Sequence, residues 1–250
     1  MRARLRGLLL CVGLPVLVIA LAGTYDLWRE GMLTPRPPAA QPKGSLIPIA
    51  SCQLTVALIP PKPSDAVVAQ LRKDGTSETT ARELLSDTGM QALTENLSQL
   101  WPFSYEVRAP LTLPDAYYDA ARRQYRIDLV LDWLAGQHDP RLFRSVGVLS
   151  GDVYAPEYNF LFGQAKIYGP CCVASTARMG GSMPLAHKTA SQRWQDIVRH
   201  ELGHTLGLPH TSERSVMHYS DTLNGLDDEA SDLSKSEWQQ LAQLYSIKWE

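Results

Sequence analysis

"RHELGHTLGLPH", residues 199–210, holds three of the chain's six histidines, His200, His204 and His210, with Glu201 beside the first and Gly207 between the second and third. A four-residue spacing puts His200 and His204 on one face of a helix, within reach of a single ion. That helix is expected over about 189–206, because Trp194, Ile197, Val198, Leu202 and Leu206 recur at helical spacing and give it an apolar side. Gly207 falls where the helix should stop, and a glycine there can take the left-handed conformation that turns the chain sharply. Such a turn brings His210 back as a third ligand. Three neutral imidazoles leave one position of a tetrahedral Zn2+ site open, which suits a catalytic rather than a closed structural zinc. Glu201 leaves the helix along a different azimuth and would reach a water at the open position, as general base. The rival reading, a polar helix whose histidines face solvent, requires neither Gly207 nor His210.

Working outward, "CQLTVALIP" (52–60), "FSYEVRAP" (103–110) and "SVGVLS" (145–150) read as strands. Helices are expected from Ser77 to about Leu100, on Leu84, Leu85, Leu93 and Leu97, and over 115–136, opened by Pro114-Asp115 and closed by Gly136. The segment 159–179 divides into two short extended runs at Gly169-Pro170, as in a hairpin or sheet edge. A last helix lies in "LSKSEWQQLAQLY" (233–245), where Ser234 and Glu237 form a capping-box pattern. Strands alternating with helices indicate an α/β (α+β) fold with a mixed, largely parallel sheet. The domain, 50–250, would consist of an N-terminal subdomain, 50–207, ending in the active-site helix, and a small C-terminal subdomain, 208–250.

With 250 residues, 44% of them hydrophobic, the chain is long enough for one substantial core. A net charge of −2 provides no basic field, so nucleic acid is set aside as a partner. The first 25 residues differ: Arg2, Arg4 and Arg6 precede a run, Gly7 to Tyr25, without a charged residue. This is an export signal or a membrane anchor, and cleavage at Ala20-Leu21-Ala22 or retention as a tether both remain open. Either way the remainder is expected outside the cytoplasm, in the periplasm or at the cell surface. Residues 26–49 carry prolines at 35, 37, 38, 42 and 48 and read as an extended linker. Cys52 with Cys171 or Cys172 is a possible disulfide, and three buried thiols are the equal alternative.

HELGHTLGLPH matches HExxHxxGxxH and so resembles the metzincin clan of zinc peptidases. Met217 in "SVMHYS" matches the clan's methionine turn, and its position only seven residues after His210 resembles the archaemetzincin family. "YNFLFGQAK", "CVASTARM" and "LPDAYYDAARRQY" resemble that family's segments upstream of the helix. The resemblance implies a metzincin-like mixed sheet, one catalytic zinc on His200, His204 and His210, Glu201 acting on the water, and a peptide or protein substrate. It also implies a structural role for Met217 and, as in some metzincins, an oxyanion-stabilising tyrosine at Tyr219. His218 would be a turn residue or a donor behind a ligand, while His138 and His187 have no motif around them.

The family's second, cysteine-bound zinc has no ligands here, since Thr211 and Ser215 stand where two of its cysteines would be and none follows Cys172. The acidic stretch 226–234 lies near the missing pair, and a solvated loop is favoured there over a calcium site. The clan's substrate-binding edge strand would fall on Cys171 to Ala177, or that run is an internal strand. Two other readings stand beside the peptidase: a non-catalytic zinc-holding envelope binding module, and a zinc hydrolase of a non-peptide substrate. Oligomeric state has no signature in the chain.

Overall fold

A computed structural model describes residues 55–73, 84–101, 103–180 and 188–245. The expected signal or anchor, the linker, Cys52 and His187 lie outside these residues. The chain begins with β1 (Thr55–Ile59), β2 (Pro61–Lys62), α1 (Asp65–Lys73), α2 (Asp87–Leu100), β3 (Ser104–Val107) and β4 (Leu111–Thr112). A 3-10 turn (Asp115–Tyr117) leads to β5 (Tyr118–Asp119), β6 (Gln124–Arg126), α3 (Ile127–Gln137), β7 (Arg144–Leu149), β8 (Val153–Ala155) and β9 (Tyr158–Leu161). Then come β10 (Gly163–Ala165), β11 (Cys171–Ser175), α4 (Ala190–Thr205), α5 (Leu223–Asp228) and α6 (Lys235–Tyr245).

The main sheet has the order β10-β11-β7-β1-β3, parallel throughout except that β10 runs antiparallel to β11. Every residue of β11 is buried, as are the last five of β7, which is how strands covered on both faces become continuous apolar runs. Alternation then sorts the side chains between two cores. Val56, Leu58, Val146, Val148, Cys172 and Ala174 meet α2 and α4, whereas Ala57, Ile59, Cys171 and Val173 face α3. Cys171 and Cys172 are buried free thiols, while Cys52, the third cysteine of the buried-thiol alternative, lies outside the described residues.

Two expectations are corrected. The helix expected over 115–136 begins only at Ile127, because the Asp119 carboxylate accepts the N–H groups of Ala121 and Arg122 (2.9 and 3.0 Å) and Arg123 takes φ 58. Those local bonds close a β5–β6 hairpin instead of a helical turn. Apolar residues at helical spacing start at Ile127 and continue through Val130, Leu131 and Leu134. Second, β11 is internal and β10 forms the edge, since Gly169-Pro170 folds the preceding run back outside it. The short helices α1 and α5 and the small sheet β5-β6-β8-β9 were not legible, being too brief to show a period.

Among the described residues, no helix is long and apolar enough to cross a membrane.

Candidate metal centre

The helix α4 starts as its sequence dictates: Thr189 Oγ1 accepts the N–H of Gln192 (3.2 Å) and Gln192 Oε1 accepts the N–H of Thr189 (2.8 Å). Its apolar side, Trp194, Ile197, Val198 and Leu202, enters the core as expected. Several of its charged residues are buried too, by polar pairing. Arg193 holds Asp227 of α5 through two bonds of 2.6 and 2.7 Å, and Asp196 meets Lys188 at 2.8 Å. Arg199 Nη1 donates to Ser231 O at 2.7 Å.

The end of α4 is tied down carbonyl by carbonyl. His204 O accepts from Gly207 and Tyr168, Thr205 O from Arg144, Leu206 O from the Tyr245 hydroxyl and Gly207 O from Gln240. With φ +100, Gly207 makes the left-handed turn the motif requires, and the chain returns with His210.

His200, His204 and His210 form a group of ligand atoms all within 4.8 Å of one another. Nε2 of His210 lies 3.2 Å from Nε2 of both His200 and His204. Nitrogens ~2.0 Å from one tetrahedral zinc stand roughly 3.3 Å apart, so the triad fits that ion. Nδ1 of His200 faces Val216 O and Nδ1 of His204 faces Leu208 O, each at 2.7 Å. Donation to those carbonyls places the proton on Nδ1 and leaves the Nε2 lone pairs directed inward. Burial and neighbouring imidazoles depress all three histidines to about 3, which keeps them in the neutral, ligating form.

Glu201 is buried, and its Oε2 makes no hydrogen bond. Its carboxylate lies against the backbone of β10. A Cβ on Gly163 would stand 2.6 Å from Glu201 Cγ, 2.7 Å from Oε1 and 2.8 Å from Val173 O, so only glycine fits. Gly163 lies outside the HExxHxxGxxH motif, although a glycine inside a strand is the usual sign of a close approach. Burial raises the Glu201 carboxyl to about 8, and a dication beside it would draw it back down.

Met217 is fully buried and lies against the α4 backbone at Gly203. Thr211 and Met217 are joined backbone to backbone (3.2 Å), and His218 Nδ1 meets Thr211 O at 3.2 Å, so His218 clasps the turn. The Tyr219 ring stacks edge-on to His210 with centroids 5.1 Å apart. His138 lies away from the triad, its Nδ1 2.8 Å from Ser145 Oγ.

Ser215 Oγ accepts the N–H of Met217 (3.1 Å) and donates to the buried Glu237 of α6 (2.8 Å), whose other oxygen accepts the Ser234 N–H (2.7 Å). The expected capping box therefore also braces the methionine turn. The stretch 226–234 is not the solvated loop expected. Leu226, Asp227 and Glu229 are buried, and Lys188 donates to the carbonyls of Leu226 (2.7 Å) and Glu229 (2.9 Å).

The model of peptidase family M54 matches residues 92–243. An archaemetzincin of Methanopyrus kandleri is 39% identical over 116 residues, 46% of this chain and 64% of that protein, a little under two thirds of its length. An archaemetzincin of Halobacterium salinarum is 31% identical over 152 residues, covering 56% of this chain and 84% of the relative. The crystal structure of the Methanopyrus kandleri archaemetzincin superposes with a TM-score of 0.60 at 25% identity, over 78% of this chain and 97% of that one. The mixed α/β fold is thus the fold of those structures.

Proposed function

The chain belongs to peptidase family M54, the archaemetzincin family of zinc metallopeptidases, and from that premise we propose that it hydrolyses peptide bonds with Glu201 as general base. The observation that carries this reading is the buried Glu201, whose Oε2 has no hydrogen-bond partner, one residue after His200 on the helix whose histidines converge with His210. One zinc ion on His200, His204 and His210 would polarise the substrate carbonyl and acidify a water. Glu201 takes the proton of the attacking water on its carboxylate and delivers it to the leaving amine nitrogen. The free edge of β10, beginning beside Glu201, accepts the substrate as an added strand, so that backbone bonds hold the peptide whatever its side chains. Tyr219, packed on His210, donates its hydroxyl to the oxyanion.

A purely structural metal site has no use for a buried, unpaired carboxylate, which weighs against a non-catalytic binding module. Digestion of a mixed peptide library with and without chelator tests the activity. Glu201→Gln is expected to retain one zinc per chain by metal analysis and to lose cleavage. Hydrolysis at the wild-type rate would rule Glu201 out as the base. Tyr219→Phe should lower kcat by roughly a hundredfold with KM unchanged.

Export is a separate proposal, supported by the three arginines ahead of the uncharged run Gly7 to Tyr25. Fractionation of cells expressing the full chain tests it. Recovery of the protein in the cytoplasm alone would sink it.

A further inference from the structure

The strand β10 ends at Ala165, and Lys166 to Gly169 form a tight turn closed by the Gly169 N–H on Lys166 O (2.7 Å). Tyr168, the third residue of that turn, takes φ 59, a left-handed conformation unfavourable for any residue with a side chain. Glycine would relieve that cost. Tyrosine stands there instead, its N–H bonded to His204 O at 3.1 Å and its ring seated on the Gly207 backbone so closely that residue 207 has no room for a Cβ. Both attachments are to the end of α4, so the ring is held rigidly beside the histidine turn. Yet 41% of Tyr168 remains exposed. A strained backbone that displays a rigid aromatic face next to a reaction centre is a device for recognition.

The place of the ring along the strand defines what it can recognise. Gly163 lies against Glu201, and Lys166 is three residues on, roughly 10 Å at the ~3.3 Å rise of a strand. A peptide added to the edge of β10 advances at the same rise, so its third or fourth residue from the cleaved bond comes level with Tyr168. Antiparallel pairing, the commoner kind, makes that residue one on the amino side of the bond. Lys166, two residues before it, pairs with Asp132 at 2.6 Å, and Tyr168 is the large apolar side chain that this turn exposes. We propose that Tyr168 forms a substrate subsite selecting an apolar or aromatic side chain three to four residues on the amino side of the cleaved bond. This rests on the peptidase reading above.

The test uses the full chain as wild type, Tyr168→Ala and Tyr168→Phe. Each digests ten-residue peptides that vary only at the third and fourth positions before the cut, and tetrapeptides scored for the cut after their second residue, which are too short to reach the ring. Wild type and Tyr168→Phe should favour Leu or Phe over Ser and Asp at those positions. Tyr168→Ala should lose that preference, with kcat/KM for the apolar decapeptides down roughly tenfold through KM. Tetrapeptide cleavage and zinc content should be the same in all three. Unchanged preference in Tyr168→Ala, an equal loss on tetrapeptides and decapeptides, or a preference on the carboxyl side of the cut would each overturn the subsite. If wild type shows no chelator-sensitive cleavage of any peptide, the peptidase reading itself fails and the subsite with it.

Discussion

Glu201 illustrates how a single side chain is prepared for its work by its surroundings. A candidate metal ligand, His200, precedes it in sequence, but the residue that shapes its position, Gly163, comes from a strand 38 positions earlier. The motif specified the chemistry of the glutamate and could not specify its wall, because that contact exists only once β10 lies over α4. A methyl group at residue 163 would overlap both Glu201 and the carbonyl of Val173. Gly163→Ala is therefore expected to keep zinc while kcat falls by roughly a hundredfold, the cost of displacing a reacting group by about an ångström. Metal content and single-turnover rates measured on the same sample distinguish this from simple unfolding.

At the scale of the element, α4 is the informative case. Its apolar stripe, capping residues and terminating glycine were all legible, since each depends on neighbours within a few positions. Its charged residues carry no such local signal, and the structure buries them. Arg193, Asp196 and Arg199 are buried, and each has a partner 30 or more residues away in sequence, Asp227 for the first and Ser231 for the other two. The Arg193–Asp227 pair, 1% and 4% exposed, is the strongest such link between α4 and α5. Arg193→Met alone takes the guanidinium away from the buried Asp227 carboxylate, and should lower unfolding stability by about 3–5 kcal/mol, read from the urea midpoint. Replacing both partners, Arg193→Met with Asp227→Leu, should recover most of that loss. A single variant as stable as wild type would show that the pair does not hold α5 in place.

Across the whole molecule, the C-terminal portion is joined to the rest by buried polar groups, and one of them carries a pH dependence. Burial raises the Glu229 carboxyl from 4.5 to about 8, with Lys188 opposing and Asp196 adding to the shift. The folded state therefore binds this proton more tightly than the unfolded state, so between those values folding takes up a proton and stability falls as pH rises. Glu229→Gln should flatten the slope of urea midpoint against pH over that window, and an unchanged slope would clear Glu229 of the effect. Local sequence determined the histidine triad of the candidate site, the helix that carries two of its members, the turn that brings in the third and the largely parallel sheet, because spacing along a chain is itself geometry when a helix or strand imposes its period. It also identified the family, since the motif and the short step to Met217 are read residue by residue. Only the tertiary structure decided that β10 and not β11 is the edge, that Gly163 walls in the glutamate, that Ser215 and Glu237 brace the methionine turn, and that Asp227 and Glu229 of the acidic stretch are buried. Each of these depends on which segments meet after long loops close, and a pattern of apolar and polar residues does not encode that partner choice.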